Sequence, residues 1–196
     1  MVDPYELLSD WLSAVVETPG LTALGDLDQA REMLLDDALR ALPLVERYDG
    51  AVVDIGSGGG SPGIPLAAAL PERDVTLLDA ERRKCDFLVR WAPPNAEVVW
   101  GRAEEQPPER WGVALAKALA KPPVAAELCL PLVRAGGAAI LWLGERADLD
   151  QLAAASEQLG GGVPESREGL VVLPKVAPTP PGFPRRVGVA KKRPLA

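Results

Sequence analysis

The chain has 196 residues, 47% hydrophobic and 25% charged, enough for one domain with a substantial core. Its net charge is −7 and it has no histidine. That removes the commonest general base, the commonest metal ligand and every Ser-His or Cys-His nucleophile pair; with Cys85 and Cys129 far apart in sequence, no metal is expected either.

Residues 4–17 and 26–42 read as amphipathic helices. In the second, Leu27, Ala30, Met33/Leu34, Ala38 and Ala41/Leu42 recur at helical spacing, with Asp26 as N-cap and Pro43 as an end signal. The first thirty residues carry Asp3, Glu6, Asp10 and Glu17 in place of a basic start and an apolar run. No stretch reaches the roughly 18–20 uncharged apolar residues of a membrane span. The expectation is a cytoplasmic, reduced, monomeric protein with no membrane partner.

From residue 51 short apolar runs alternate with helical stretches. Residues 51–55, 74–79, 96–100, 112–116 and 137–143 read as buried strands, and 62–70, 81–91, 122–134 and 148–159 as helices. That alternation predicts an α/β fold with a Rossmann-like, doubly wound, mostly parallel sheet. Residues 169–175 and 185–190 read as a closing pair of antiparallel edge strands, separated by the loop "APTPPGFP" at 177–184. The organisation expected is an N-terminal helical cap over 1–50 and a catalytic domain over 51–196, forming one compact unit.

The stretch "VVDIGSGGGSP" (52–62) places Gly56, Ser57, Gly58, Gly59 and Gly60 directly after the first strand, where open α/β sheets bind ligands. A triphosphate loop needs Gly-Lys-Ser/Thr, and there is no lysine here. A dinucleotide frame fits Gly58, Gly60 and Gly63, with Asp79 lying 21 residues after Gly58. The D-x-G-x-G-x-G turn of S-adenosylmethionine-dependent methyltransferases fits Asp54, Gly56, Gly58 and Gly60 without adjustment. Asp54 favours the latter, because a carboxylate attracts an ammonium and a sulfonium and repels a pyrophosphate. Asp79, ending the second strand, is placed to accept hydrogen bonds from ribose hydroxyls with either cofactor.

Charge is unevenly spread. Residues 169–196 hold six bases (Lys175, Arg185, Arg186, Lys191, Lys192, Arg193) and no acid, whereas residues 1–50 hold 11 acids and three bases. A phosphate-bearing partner is attracted to the tail and repelled by the N-terminal layer; a solvated tail is the alternative.

With the later strands in view, "VVDIGSGGGSPGIPLA", "VTLLDAERRKCDFL", "GRAEE" and "FPRRVGVAKKRPL" resemble successive blocks of the RsmG (GidB) family. "LTALGDLDQAREMLLDDALRALPL" is similar to that family's N-terminal helical region, so the likeness covers nearly the whole chain. The family's enzymes methylate N7 of a guanine in bacterial 16S ribosomal RNA. The resemblance implies that Gly56, Ser57, Gly58 and Gly60 line the methionine and ribose side of S-adenosylmethionine. It puts Asp79 on the ribose with Ala80 beside it, and Arg102, Ala103 and Glu104 along the adenine. It implies that Lys117 positions cofactor and target base, and that Arg185, Arg186, Lys191, Lys192 and Arg193 meet RNA phosphates of the small subunit. Guanine N7 carries an exposed lone pair, so this chemistry suits a chain without histidine.

The chain departs from the family pattern at several positions. Gly20 replaces an Asn, Leu35 or a neighbour a His, Ser61 a Phe, Gly112 an acid, Lys117 an Arg, and Leu143–Gly144 a Lys-Gly pair. A different RNA or small-molecule acceptor, or a catalytically silent rRNA or assembly factor, are the alternatives. Trp11, Trp91, Trp100, Trp111 and Trp142 read as core in preference to base-stacking platforms. Cys85 reads as a structural thiol and Glu81–Lys84 as a solvated first helical turn.

Overall fold

The computed structural model describes residues 4–196; residues 1–3 of the expected cap lie outside them. The N-terminal region is helical: α1 (Pro4–Glu17), α2 (Leu27–Ala30), a π-helical stretch at Arg31–Asp36, α3 (Asp37–Leu39) and α4 (Leu42–Val45). Asp26 caps α2 by accepting the Gln29 N–H at 2.9 Å. Pro43 does not end this region. It sits in the first turn of α4, where its missing N–H costs no hydrogen bond.

Then follow β1 (Val52–Ile55), α5 (Gly63–Ala69), β2 (Val75–Asp79), α6 (Arg82–Trp91), β3 (Ala96–Trp100), β4 (Trp111–Lys117) and α7 (Pro122–Cys129). The chain ends with β5 (Val133–Trp142), α8 (Leu149–Glu157), β6 (Glu165–Arg167), β7 (Leu170–Pro174) and α9 (Val189–Lys192). The sheet order is β3-β2-β1-β4-β5-β7-β6. The first five strands are parallel, and β7 runs antiparallel to β5 and β6. The α/β, doubly wound expectation holds.

The closing antiparallel pair is β6–β7, not 169–175 with 185–190. Residues 185–190 form no strand, because Gly188 turns the chain at φ +78° and Val189 starts α9. β6 is a three-residue polar edge with no apolar alternation to reveal it.

The inner strands are buried on both faces, whereas the edge strands β3 and β6 are partly exposed, and alternate side chains feed two cores. Val52, Leu77, Val113, Leu115 and Ile140 face α1, the π-helical stretch, α5 and α6 in one continuous cluster that includes Trp11 and Leu35. Val53, Ile55, Ala114, Ala116 and Leu141 face α7 and α8 in the other. The helices upstream of β1 therefore pack onto the sheet itself. Gly112 shows how close the backbones come, since a Cβ there would stand 1.8 Å from the Asp49 carbonyl oxygen. An acid is excluded at that position.

Candidate cofactor and RNA site

Two cavities lie beyond the carboxyl ends of β1, β2, β3 and β4, on either side of the glycine loop. One, of about 230 Å³, is bounded by Ala80, Arg102, Ala103, Glu104 and Leu119. The other, of about 270 Å³, is bounded by Val15, Leu34, Ser57, Gly58, Lys84 and Lys117. Gly56 lines both and joins them. Its φ is +73°, so the backbone conformation favours glycine; a Cβ there would lie 2.6 Å from the flexible tip of Leu119.

The loop is fixed from beneath. The Gly56 and Ser57 N–H groups donate to the Leu78 carbonyl at 2.8 and 3.1 Å, and the Gly60 N–H to Ser57 O at 2.7 Å. The Trp11 indole donates to Gly59 O at 2.7 Å, which brings α1 onto the loop.

Asp54 and Asp79 both lie in this scaffold. Asp79 Oδ2 accepts the Gly58 N–H at 2.9 Å and Oδ1 the Glu81 N–H at 2.8 Å. Each oxygen keeps a further acceptor site, but Asp79 is 6% exposed and lines neither cavity; its neighbours Leu78 and Ala80 line the first. Asp54 is 1% exposed and lines neither cavity. Its Oδ2 accepts the Gly63 N–H at 3.0 Å, while Oδ1 is buried without a partner. Burial pushes its carboxyl up to about 7, with Ser57 and the Gly63 N–H offsetting part of the effect and the Asp79 charge adding to it.

Lys117 projects from the end of β4 into the second cavity. Its Nζ donates to the Met33 carbonyl and lies 2.5 Å from Asp37 Oδ2. Lys84, which the sequence reading left in a solvated turn, lines the same cavity while pairing with Glu81 at 2.8 Å. Its position in the first turn of α6, just beyond the end of β2, is the sequence signal for it. Ser61, where the family carries Phe, donates to the Leu34 carbonyl at 2.7 Å and ties the loop to the π-helical stretch.

The basic tail divides. Arg186, Lys191, Lys192 and Arg193 are exposed and Lys191 also lines the first cavity. Arg185 turns inward, contrary to its expected place on the RNA face. Its Nε lies 2.5 Å from Oε1 of the buried Glu127, Nη2 pairs with Oε2, and Nη2 also donates to Arg193 O at 2.8 Å. A buried carboxylate needs such a partner, so this guanidinium is engaged within the fold.

Of the tryptophans, Trp11 and Trp111 are buried, but Trp100 is 60% exposed. Its indole donates to Ala80 O at 3.1 Å and the Arg82 guanidinium stacks over it at 5.0 Å. Cys85 and Cys129 are buried free thiols. Among the described residues no group of three or more acids or thiols is arranged to hold a metal ion, and no helix is long and apolar enough to cross a membrane.

The backbone resembles that of a 16S rRNA N2 G1207 methyltransferase (RsmC) of T. thermophilus, solved with AdoMet and guanosine: TM-score 0.57, 20% identity, 75% of this chain and 40% of that one. A SAM-dependent O-methyltransferase of Thermotoga maritima superposes with TM-score 0.58 at 12% identity, over 74% of this chain and 66% of that one. Both bear on the fold alone.

Sequence relatives reach further. A ribosomal RNA small subunit methyltransferase G of Synechococcus sp. (strain JA-2-3B'a(2-13)) is 40% identical over 91% of this chain and 79% of its own length. One of Moorella thermoacetica is 34% identical over 100% and 89%. The model of the GidB family, rRNA small subunit methyltransferase G, matches residues 5–162, and the chain belongs to that family.

Proposed function

We propose that the chain transfers a methyl group from S-adenosylmethionine to N7 of a guanine in 16S ribosomal RNA. The observation that carries this reading is the pair of cavities meeting at Gly56, one beside an acidic strand end and the other beside two lysines. S-adenosylmethionine, when bound, supplies an electrophilic methyl group on a cationic sulfur. The fit of the residues is good. The first cavity takes the adenosine, with Arg102, Ala103 and Glu104 along the base and Asp79 and Ala80 at the ribose. Gly56, Ser57, Gly58 and Gly60 let the methionine end lie against the main chain, and Asp54, buried beneath the loop, contributes negative charge to the extent that it is ionised.

The second cavity receives the guanine. Its apolar wall of Val15, Leu21 and Leu34 excludes water from the reacting atoms. No side chain has to remove a proton, because N7 attacks through a free lone pair; the protein's task is alignment. Lys117 reaches this cavity already neutralised by Asp37, so the pair adds no net repulsion to the cationic N7-methylguanine that forms. Arg186, Lys191, Lys192 and Arg193 hold RNA phosphates.

The test is mass spectrometry of 16S rRNA from cells with and without the protein. Loss of one N7-methylguanine on deletion is expected. An unchanged rRNA, with labelled methyl groups passing to another acceptor, would replace this substrate assignment. Cofactor binding without any transfer would identify a silent rRNA-binding member.

A further inference from the structure

The C-terminal segment contributes to the lining of the adenosine-side cavity and is tied to elements on either side of it. On one side, after β3, Glu104 Oε1 accepts the Gly188 N–H at 3.0 Å. On the other, Glu127 of α7 holds Arg185 in a two-point ion pair, with Glu127 3% exposed. Between these anchors and beyond them, Gly188, Ala190 and Lys191 line the cavity. The carboxylate of Glu127 would be a buried, uncompensated charge without Arg185, so the segment has one strongly preferred seat. The Arg185 link to Arg193 O and the Gln158 Nε2 link to Leu195 O at 3.2 Å fix the remainder.

We infer that residues 185–193 are a strap forming the outer wall of the cofactor site, and that Arg185 is a positioning residue for cofactor and not an RNA contact. This inference rests on the cofactor assignment above. The segment that presents Arg186, Lys192 and Arg193 to solvent therefore also encloses the cofactor through its inner face. A bound nucleoside holds the strap closed, and the strap must lift for that nucleoside to leave.

The strap carries its own reporter, because Arg185, Arg186, Lys191 and Lys192 are trypsin sites, whereas Arg193 is protected by the following Pro194. S-adenosylhomocysteine is the probe, with its dissociation constant first measured by calorimetry on the wild-type protein. At a concentration 100 times that constant, strap cleavage followed by mass spectrometry slows about 100-fold if lifting requires release of the ligand. Binding without protection at Arg186 and Lys191 overturns the strap and leaves the cofactor assignment intact. Absence of binding by the wild-type chain overturns both. A second arm compares Arg185→Ala and Arg185→Lys. Affinity for S-adenosylhomocysteine falls at least about 10-fold in the alanine variant and is partly rescued by lysine, which restores charge but not the fork. A folded Arg185→Ala protein that binds within about twofold of wild type contradicts the positioning role.

Discussion

Lys117 at the end of β4 and Asp37 at the start of α3 form an ion pair, Nζ to Oδ2 2.5 Å, that ties the N-terminal helices to the catalytic end of the sheet. Met33 O is a second acceptor for the same Nζ, within a π-helical stretch. Burial by itself raises the Asp37 carboxyl, but the hydrogen bonds and charges of Lys117 and Arg40 outweigh it, and the net shift is downward. A lowered folded-state value means that the pair's stabilisation is present above the ordinary aspartate range and is lost as pH falls through the folded value. The wild type therefore loses stability from about pH 4 downward, and Asp37→Asn shows less of that acid loss. Lys117→Met costs about 1–2 kcal/mol at neutral pH. Thermal melts at several pH values check both.

Arg185→Ala leaves Glu127 buried and unpaired, and is expected to cost about 3–5 kcal/mol by denaturant titration. Replacing both partners by methionine removes the charge along with its partner and recovers most of that loss. Equal stability of the single and double variants would show that the ion pair does not explain the effect.

The exposed cations behave differently. Arg186→Ala and Lys192→Ala leave stability within about 0.5 kcal/mol of wild type. Each weakens RNA binding and lowers the slope of log affinity against log salt by about 1, the loss of a single phosphate contact. Filter binding of a 16S rRNA fragment at several salt concentrations reads this slope. An unchanged slope in both variants removes these side chains from the RNA interface.

Much of the fold was legible because it repeats. Runs such as Val52–Ile55 and Val75–Asp79 are short and mostly apolar, as strands in a buried parallel sheet are, and the glycine loop sits where such a sheet binds ligands. What escaped depends on contacts between distant residues. Val187 and Val189 look like a strand until Gly188 at φ +78° is seen to turn the chain. Arg185 looks like every other base in its tail until Glu127, 58 residues upstream, is found behind it. Trp100 stays 60% exposed because it ends β3, the edge strand of the sheet, where the Arg82 guanidinium stacks on it. The π-helical stretch has no sequence signature at all, yet its Met33 and Leu34 carbonyls engage Lys117 and Ser61.

Gly112, where the resemblance leads to the expectation of an acid, has a steric requirement for glycine. Placing an aspartate there drives Cβ into the Asp49 carbonyl, 1.8 Å away, and crowds Gly50 Cα at 3.3 Å. Gly112→Asp is expected to cost about 3 kcal/mol or more, since backbone and not a flexible side chain must move. A melt showing a smaller loss would mean that the 49–50 turn relaxes at little cost.

Asp54 carries the site's most pH-sensitive stability. Its carboxyl is raised to about 7 by burial, so the folded protein retains a proton that the unfolded chain releases near pH 4. The stability linked to that proton is fully present below the unfolded value and is lost as pH rises through the folded one. Between pH 5 and 8 the loss is on the order of 3 kcal/mol, and Asp54→Asn abolishes that pH dependence. The same substitution separates charge from shape in ligand binding. An amide can still accept the Gly63 N–H, so the loop keeps its support, but the negative charge beneath it is gone. S-adenosylmethionine has a sulfonium and S-adenosylhomocysteine does not; the asparagine variant therefore loses more affinity for the first than for the second. Calorimetry with both ligands at pH 8 makes the comparison, and an equal loss for the two would assign Asp54 to loop geometry alone.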